Sequence, residues 1–306
     1  MTNGLQSASL SRPKAIGLLV LLSVLWGGGF ALIRIAVAST APVEVAFGRL
    51  ACAAVLLWAV VLFRRISLPN TRQFWKMIVV LGLTGNAAPF FLISLAEQSV
   101  SGGMAAITMG LVPATTLILA YSIRRAERIT LSNGIALITG FGAITLLFLD
   151  GAKAGTSSTF GLALLLASAL LYSLSLVLAR CLHVYHPILC AAGASTMGAI
   201  WLLPVAVVSA GPQWLAIDGV TIMTIVALGV LSTALAAMIF FTLTAQVGAG
   251  FTSLNAYLVP LFGLIIGASW LGETVSAGTI TALIAVLATI YMARWQPQEV
   301  VSTGRR

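Results

Sequence analysis

The sequence predicts an all-α integral membrane protein whose ten transmembrane helices form two inverted five-helix repeats. Three observations lead there: a composition that only lipid can solvate, apolar runs of span length along the whole chain, and a self-similarity at an offset of 147 positions.

The chain has 306 residues, 60% of them hydrophobic and 8% charged. No single soluble core hides that much apolar surface while leaving a wettable exterior, so lipid must be the solvent for most of it. Apolar runs of about 20 residues cross the hydrocarbon layer as helices. They fall at 15–37, 42–63, 75–96, 100–122, 129–149, 159–180, 187–209, 219–243, 247–270 and 275–294. The breaks between them are too short to fold as domains, and a β-barrel would show alternating segments of about 10 residues instead. The first repeat is expected at 13–150 and the second at 151–296, with flexible cytoplasmic tails at 1–12 and 297–306.

Lysine and arginine set the orientation, because cytoplasmic loops are enriched in them. With both termini cytoplasmic, 13 of the 16 basic residues fall on the inner side, and only Arg34, Arg49 and Lys153 fall in the outer half. The net charge of +9 therefore reads as topology and not as nucleic-acid binding. Ala36-Val37-Ala38 looks like a signal-peptidase site, but Arg34 interrupts the run before it and the run is span length, so the first segment is read as a membrane helix. Cys52, Cys181 and Cys190 are scattered and suggest packing residues, not a disulfide framework.

The repeat appears when residues 100–114 are set against residues 247–261. Val100 meets Val247, Gly103 meets Gly250, and Leu111-Val112-Pro113 meets Leu258-Val259-Pro260. At nearly the same offset Leu81-Gly82 meets Leu228-Gly229, Leu25-Trp26 meets Leu171-Tyr172, Arg34 meets Arg180 and Glu127 meets Glu273. A repeat of five spans makes the second copy enter the membrane from the opposite side. Inverted repeats of this kind underlie alternating access in secondary transporters, with the site where Gly- or Pro-interrupted helices meet near the midplane. Gly102, Gly103 and Pro113, with Gly248, Gly250 and Pro260, are the candidate hinge or gating residues. The other reading of the two prolines is that they kink helices for packing.

Leu25-Trp26-Gly27, Pro42 with Arg49, the two Leu-Val-Pro blocks and "LGETVSAGTITALIAV" at 271–286 together resemble the drug/metabolite transporters, specifically the EamA-type ten-span exporters. The resemblance covers nearly the whole chain. It implies a two-fold basket of ten helices around a central cavity lined mainly by spans 1, 3, 4, 6, 8 and 9. Among the branches, the chain looks most similar to bacterial exporters of amino acids and related metabolites, which sit in the inner membrane. The second half departs from the first: Tyr172 stands where Trp26 does, and no arginine answers Arg49.

A cavity for small metabolites needs a few polar or aromatic groups projecting from its helices. The candidates are Trp26, Asn86, Thr108, Met109, Tyr172, Asn255 and Tyr257. Thr108 and Asn255 are repeat partners, each five residues before its proline. Asn86 and Asn255 serve either as ligand contacts or as hydrogen-bonding glue between helices. Trp26 and Tyr172 either fill space or stack on an aromatic or cationic solute. Arg49, about two turns inside span 2, either attracts a carboxylate or is held structurally by an acidic partner, with Glu97 or Glu273 better placed than Glu44. No lysine or arginine lies deep in spans 4 and 9, which disfavours phosphate esters and favours a zwitterionic, neutral or cationic solute.

No GxxxxGK[ST] loop occurs, so transport driven directly by ATP is not expected. No HExxH, deep acidic pair or metal-spaced His/Cys cluster points to an intramembrane enzyme, and no cofactor or metal is expected. His183 and His186 lie in a short inner loop, where a solvated or capping role is expected. Gly263 and Gly267 form a GxxxG pair that packs within the bundle, so a monomer is expected, its partners being lipid and a small-molecule substrate. Amino-acid export leads. Efflux of drugs or toxic cations is the alternative, ahead of a passive channel.

Overall fold

The computed structural model describes residues 10–124, 134–135, 138–143, 145–146, 149, 158–209 and 217–294. Residues 1–9, the C-terminal tail, Glu127, Lys153 and about half of the expected fifth span lie outside the described residues. What is described is helical: eight helices are long and apolar enough to cross a membrane, and a shorter apolar one follows. In lipid each backbone donor must be satisfied within its own segment, which is why apolar runs of this length fold as helices.

The first half runs α1 (Arg12–Val37), α2 (Pro42–Phe63), α3 (Arg72–Gly82), a π-helical segment π1 (Leu83–Ala87), α4 (Ala88–Ala96), α5 (Gly102–Met109) and α6 (Val112–Arg124). The second runs α7 (Thr159–Ala179), α8 (Pro187–Ser209), α9 (Gly219–Ala227), a second π-helical segment π2 (Leu228–Leu235), α10 (Ala236–Val247), α11 (Ala249–Thr252), α12 (Asn255–Leu271) and α13 (Ala277–Arg294). Starts are marked in the sequence. Proline occupies the first turn of α1 and α2, where its missing N–H costs nothing. Ser101, Ser158 and Asp218 cap α5, α7 and α9 by accepting from the N–H groups of Met104, Gly161 and Thr221.

Four of the expected spans are interrupted. Those at 75–96 and 219–243 each carry a π-helical insert, which begins just after the matched Leu81-Gly82 in the first half and at Leu228-Gly229 in the second. Those at 100–122 and 247–270 are each split into two helices. The second pair of breaks is not symmetric. In the first half the break lies at Gly110 and Leu111, leaving Pro113 as the second residue of α6, whereas in the second it lies at Ser253 and Leu254, leaving Pro260 inside α12.

Packing between the halves is reciprocal. α1 lies along α12 while its repeat counterpart α7 lies along α6; α2 contacts π2 while α8 contacts π1; and α2 and α8 pack on each other. Glycines set the closest approaches. A Cβ on Gly82 would stand 2.5 Å from the Met197 Cβ and 2.9 Å from the Gly198 nitrogen, and one on Gly229 would stand 2.5 Å from the Cys52 Cβ and 2.7 Å from the Arg49 carbonyl oxygen. The matched glycines thus meet the matched helices. Likewise a Cβ on Gly27 would lie 2.9 Å from the Val259 oxygen, and Ser173, its counterpart in α7, donates to the Val112 oxygen at 3.2 Å. Small residues at helix contacts are what membrane packing uses in place of a hydrophobic drive.

Candidate functional site

The candidate residues fall into three groups. Met109, Tyr172 and Tyr257 are half-buried and pack on one core cluster, which contains Ile107, Leu111, Leu165 and Leu264. Trp26, deep in α1, packs on a second cluster with Leu258 and faces Phe240 of α10 at 5.6 Å between ring centroids. Asn86 sits in π1, where its amide nitrogen donates to the Leu81 oxygen at a long 3.5 Å.

Thr108 and Asn255, paired by the repeat, are not paired in role. Thr108 is fully buried and its hydroxyl donates to the Met104 oxygen at 2.8 Å, so it is spent on its own helix and faces no open space. Asn255 opens α12 just after the break, where it is buried and its side chain makes no hydrogen bond among the described residues.

The hinge candidates also divide. Gly102 and Gly103 are at a crowded crossing: a Cβ on Gly103 would lie 3.1 Å from Leu264 Cδ1, and one on Gly102 would lie 3.3 Å from the Phe30 backbone. Both glycine N–H groups bond the Glu273 carboxylate, at 2.7 Å to Oε1 and 3.0 Å to Oε2. Gly248 has φ of +90° at the end of α10, a backbone shape that only glycine adopts without strain. No atom crowds it or Gly250.

Arg49 is the deepest surprise. It is 5% exposed and stands about 10 Å along α2 from its start. Its Nε–H donates to Thr233 Oγ1 in π2 at 3.0 Å, and its guanidinium carbon lies 3.9 Å from the centre of the Phe90 ring. The Tyr172 ring is 6.1 Å from Phe90, and Tyr172 and Glu97 are both within electrostatic reach of Arg49. Arg49 forms no direct ion pair among the described residues, and of the anticipated acidic partners Glu97 acts on it through space. Glu44 accepts from the Thr40 hydroxyl and from the Ala41 N–H at the start of α2. Glu273 is taken up by α5.

Glu97 is wholly buried just past the end of α4, and both of its carboxylate oxygens lack a hydrogen-bond partner among the described residues, as does Ser94 Oγ. Arg34 reaches this corner but donates to the Glu97 backbone oxygen. Burial, then the Glu273 carboxylate, holds the Glu97 carboxyl well above the usual carboxylate range, against the opposing pull of Arg34 and Arg49.

Phe90, Thr233 and Phe240 were not candidates. Phe90 follows Pro89 in the first turn of α4 and has no polar atom to draw notice. Thr233 gains its place from π2, whose wider winding lets its hydroxyl donate to the Leu228 oxygen five residues back at 2.9 Å while accepting from Arg49. Nothing in composition marks a π-helical turn. No group of three metal-ligating side chains occurs among the described residues.

Compared with known proteins, the chain matches the model of the EamA-like transporter family twice, over residues 13–149 and 159–295. It is 27% identical to the uncharacterized inner membrane transporter YedA of Escherichia coli K12 over 85% of this chain and 84% of that one. It is 26% identical to a probable terminal-alkyne amino-acid exporter of Streptantibioticus cattleyicolor, over 86% and 88% respectively. A solved crystal structure shares the fold, with a TM-score of 0.66 at 18% identity, covering 92% of this chain and 97% of that one.

Proposed function

This chain belongs to the EamA-like transporter family, and from that membership we propose that it exports amino acids or related amphiphilic metabolites from a bacterial cytoplasm across the inner membrane. It is a multi-pass membrane transporter and not an enzyme. Export proceeds without ATP, by alternating access between two inverted halves, with the termini cytoplasmic.

The observation that carries the substrate class is the lining of the split helices. No lysine or arginine stands on α5, α11 or α12, and α6 has one only at its terminal Arg124. A buried guanidinium, that of Arg49, is set among Phe90, Tyr172 and Thr233. One fixed cation among aromatic and hydroxyl groups suits a solute that carries a carboxylate and an apolar body, and it falls short of what a phosphate ester demands. The name of the Streptantibioticus relative agrees with that class. The reciprocal contacts of Gly82 with α8 and Gly229 with α2 support two equivalent halves able to exchange roles.

Purified protein in liposomes tests this. Labelled amino acids should show saturable flux and counterflow, and a full panel without saturable flux for any of them would sink the reading. The aromatic group Trp26, Phe240 and Phe241 favours a second one, efflux of lipophilic cations by cation–π contact. Expression that raises tolerance to such cations but not to toxic amino-acid analogues would select it.

A further inference from the structure

We propose that Arg49 is the carboxylate-binding residue of the transport site, its guanidinium taking the free carboxylate of the transported solute; this rests on the export reading above. An ionised arginine inside a membrane span needs a counter-charge or water, and a buried one left alone is strongly unfavourable. Of the three acidic side chains anticipated as its partners, none forms a direct pair with it among the described residues. Glu44 is engaged at the start of α2, Glu273 holds the first turn of α5, and the Glu97 carboxylate stands within electrostatic reach without pairing.

What the protein does instead is orient the group. Thr233 fixes one edge through Nε, and the Phe90 ring lies against one face at 3.9 Å. Of the five N–H donors of a guanidinium, that leaves the pair of terminal nitrogens without a hydrogen-bond partner among the described residues. Their fork is the shape that a carboxylate meets with two parallel hydrogen bonds. Tyr172, beyond Phe90, supplies an apolar wall for the rest of the solute. A lysine at this position would supply charge without the fork.

The site therefore selects for a free carboxylate. The experiment compares the twenty proteinogenic amino acids with their methyl esters as competitors and cargo in proteoliposomes of the wild-type chain, Arg49→Lys and Arg49→Gln, each first checked for a monodisperse elution profile. For every amino acid that the wild type carries, the ester should bind about 10- to 100-fold more weakly, the loss expected when a charged hydrogen-bond pair goes unmade. Arg49→Gln should bring acid and ester to parity, with Arg49→Lys between. Should Arg49→Gln fail to fold, the wild-type comparison of acid and ester still decides. Saturable amino-acid flux in which the ester competes equally, or discrimination retained in Arg49→Gln, overturns this assignment while leaving the export reading intact. No amino-acid flux, with saturable uptake of tetraphenylphosphonium, overturns both.

Discussion

Glu273 and Gly103, 170 residues apart, are joined by a 3.0 Å hydrogen bond from the Gly103 N–H to Oε2, beside a second at 2.7 Å from Gly102 to Oε1. A residue of the second half thereby caps a helix of the first. The arrangement satisfies two backbone donors that α5 leaves open at its start, and it sets a carboxylate at the positive end of that helix.

Removing that cap should be felt as lost stability. Glu273→Ala is expected to cost about 1.5–3 kcal/mol, the range for hydrogen bonds to a charged group, and Glu273→Gln less, since one acceptor oxygen remains. The midpoint of thermal unfolding in detergent, followed by size exclusion, measures this. An unchanged midpoint in Glu273→Ala would mean that the contact contributes nothing.

Glycine contacts between the halves predict a sharply position-dependent response to one methyl group. Gly27→Ala places Cβ 2.8 Å from the Gly263 nitrogen, and Gly229→Ala places it 2.7 Å from the Arg49 oxygen, both backbone atoms that cannot rotate away. Each should cost about 1–3 kcal/mol by overpacking. Gly17→Ala, with nothing within 4 Å, should be neutral or slightly stabilising. The same thermal assay ranks the three, and equal midpoints would contradict the close approach.

How far the sequence reaches can be judged residue by residue. Span length and the Leu-Val-Pro and Leu-Gly matches were legible because hydrophobicity and glycine contacts are local requirements written into residue type. The π-helical segments were not, since the extra residue per turn follows from what the neighbouring helix demands. Thr108 misled for a related reason. A polar residue in an apolar run signals a need for a partner, and its own helix supplied one in the Met104 carbonyl. Arg49 was legible as costly, but what stands beside it, Phe90 and Thr233, comes from elements 41 and 184 residues away.

Glu97 predicts a pH dependence. Its folded carboxyl is held above its unfolded value by burial and by Glu273, with Arg34 and Arg49 opposing. The stability tied to its protonated form is therefore fully present below about pH 4.3, the ordinary glutamate value, and is lost as pH rises through the raised folded value. Glu97→Gln, neutral and of the same shape, should flatten that decline and raise the thermal midpoint at neutral pH. If wild type and variant keep parallel pH profiles, Glu97 is not the group responsible.

The two prolines, matched in sequence, should respond differently to replacement. Pro113 is the second residue of α6, a position whose N–H has no intrahelical partner in any case, so Pro113→Ala changes little in the helix. Pro260 lies inside α12, where its ring leaves the Ala256 carbonyl without the usual donor four residues on. Pro260→Ala restores that bond and should stiffen the helix, by up to about 3 kcal/mol on intrinsic propensity. If α12 must flex there as the halves exchange access, Pro260→Ala raises the thermal midpoint while lowering the initial rate of amino-acid counterflow, and Pro113→Ala leaves both near wild type. The opposed signs are what distinguish a moving part from a packing element. A variant whose midpoint and counterflow fall together would show that Pro260 serves packing alone.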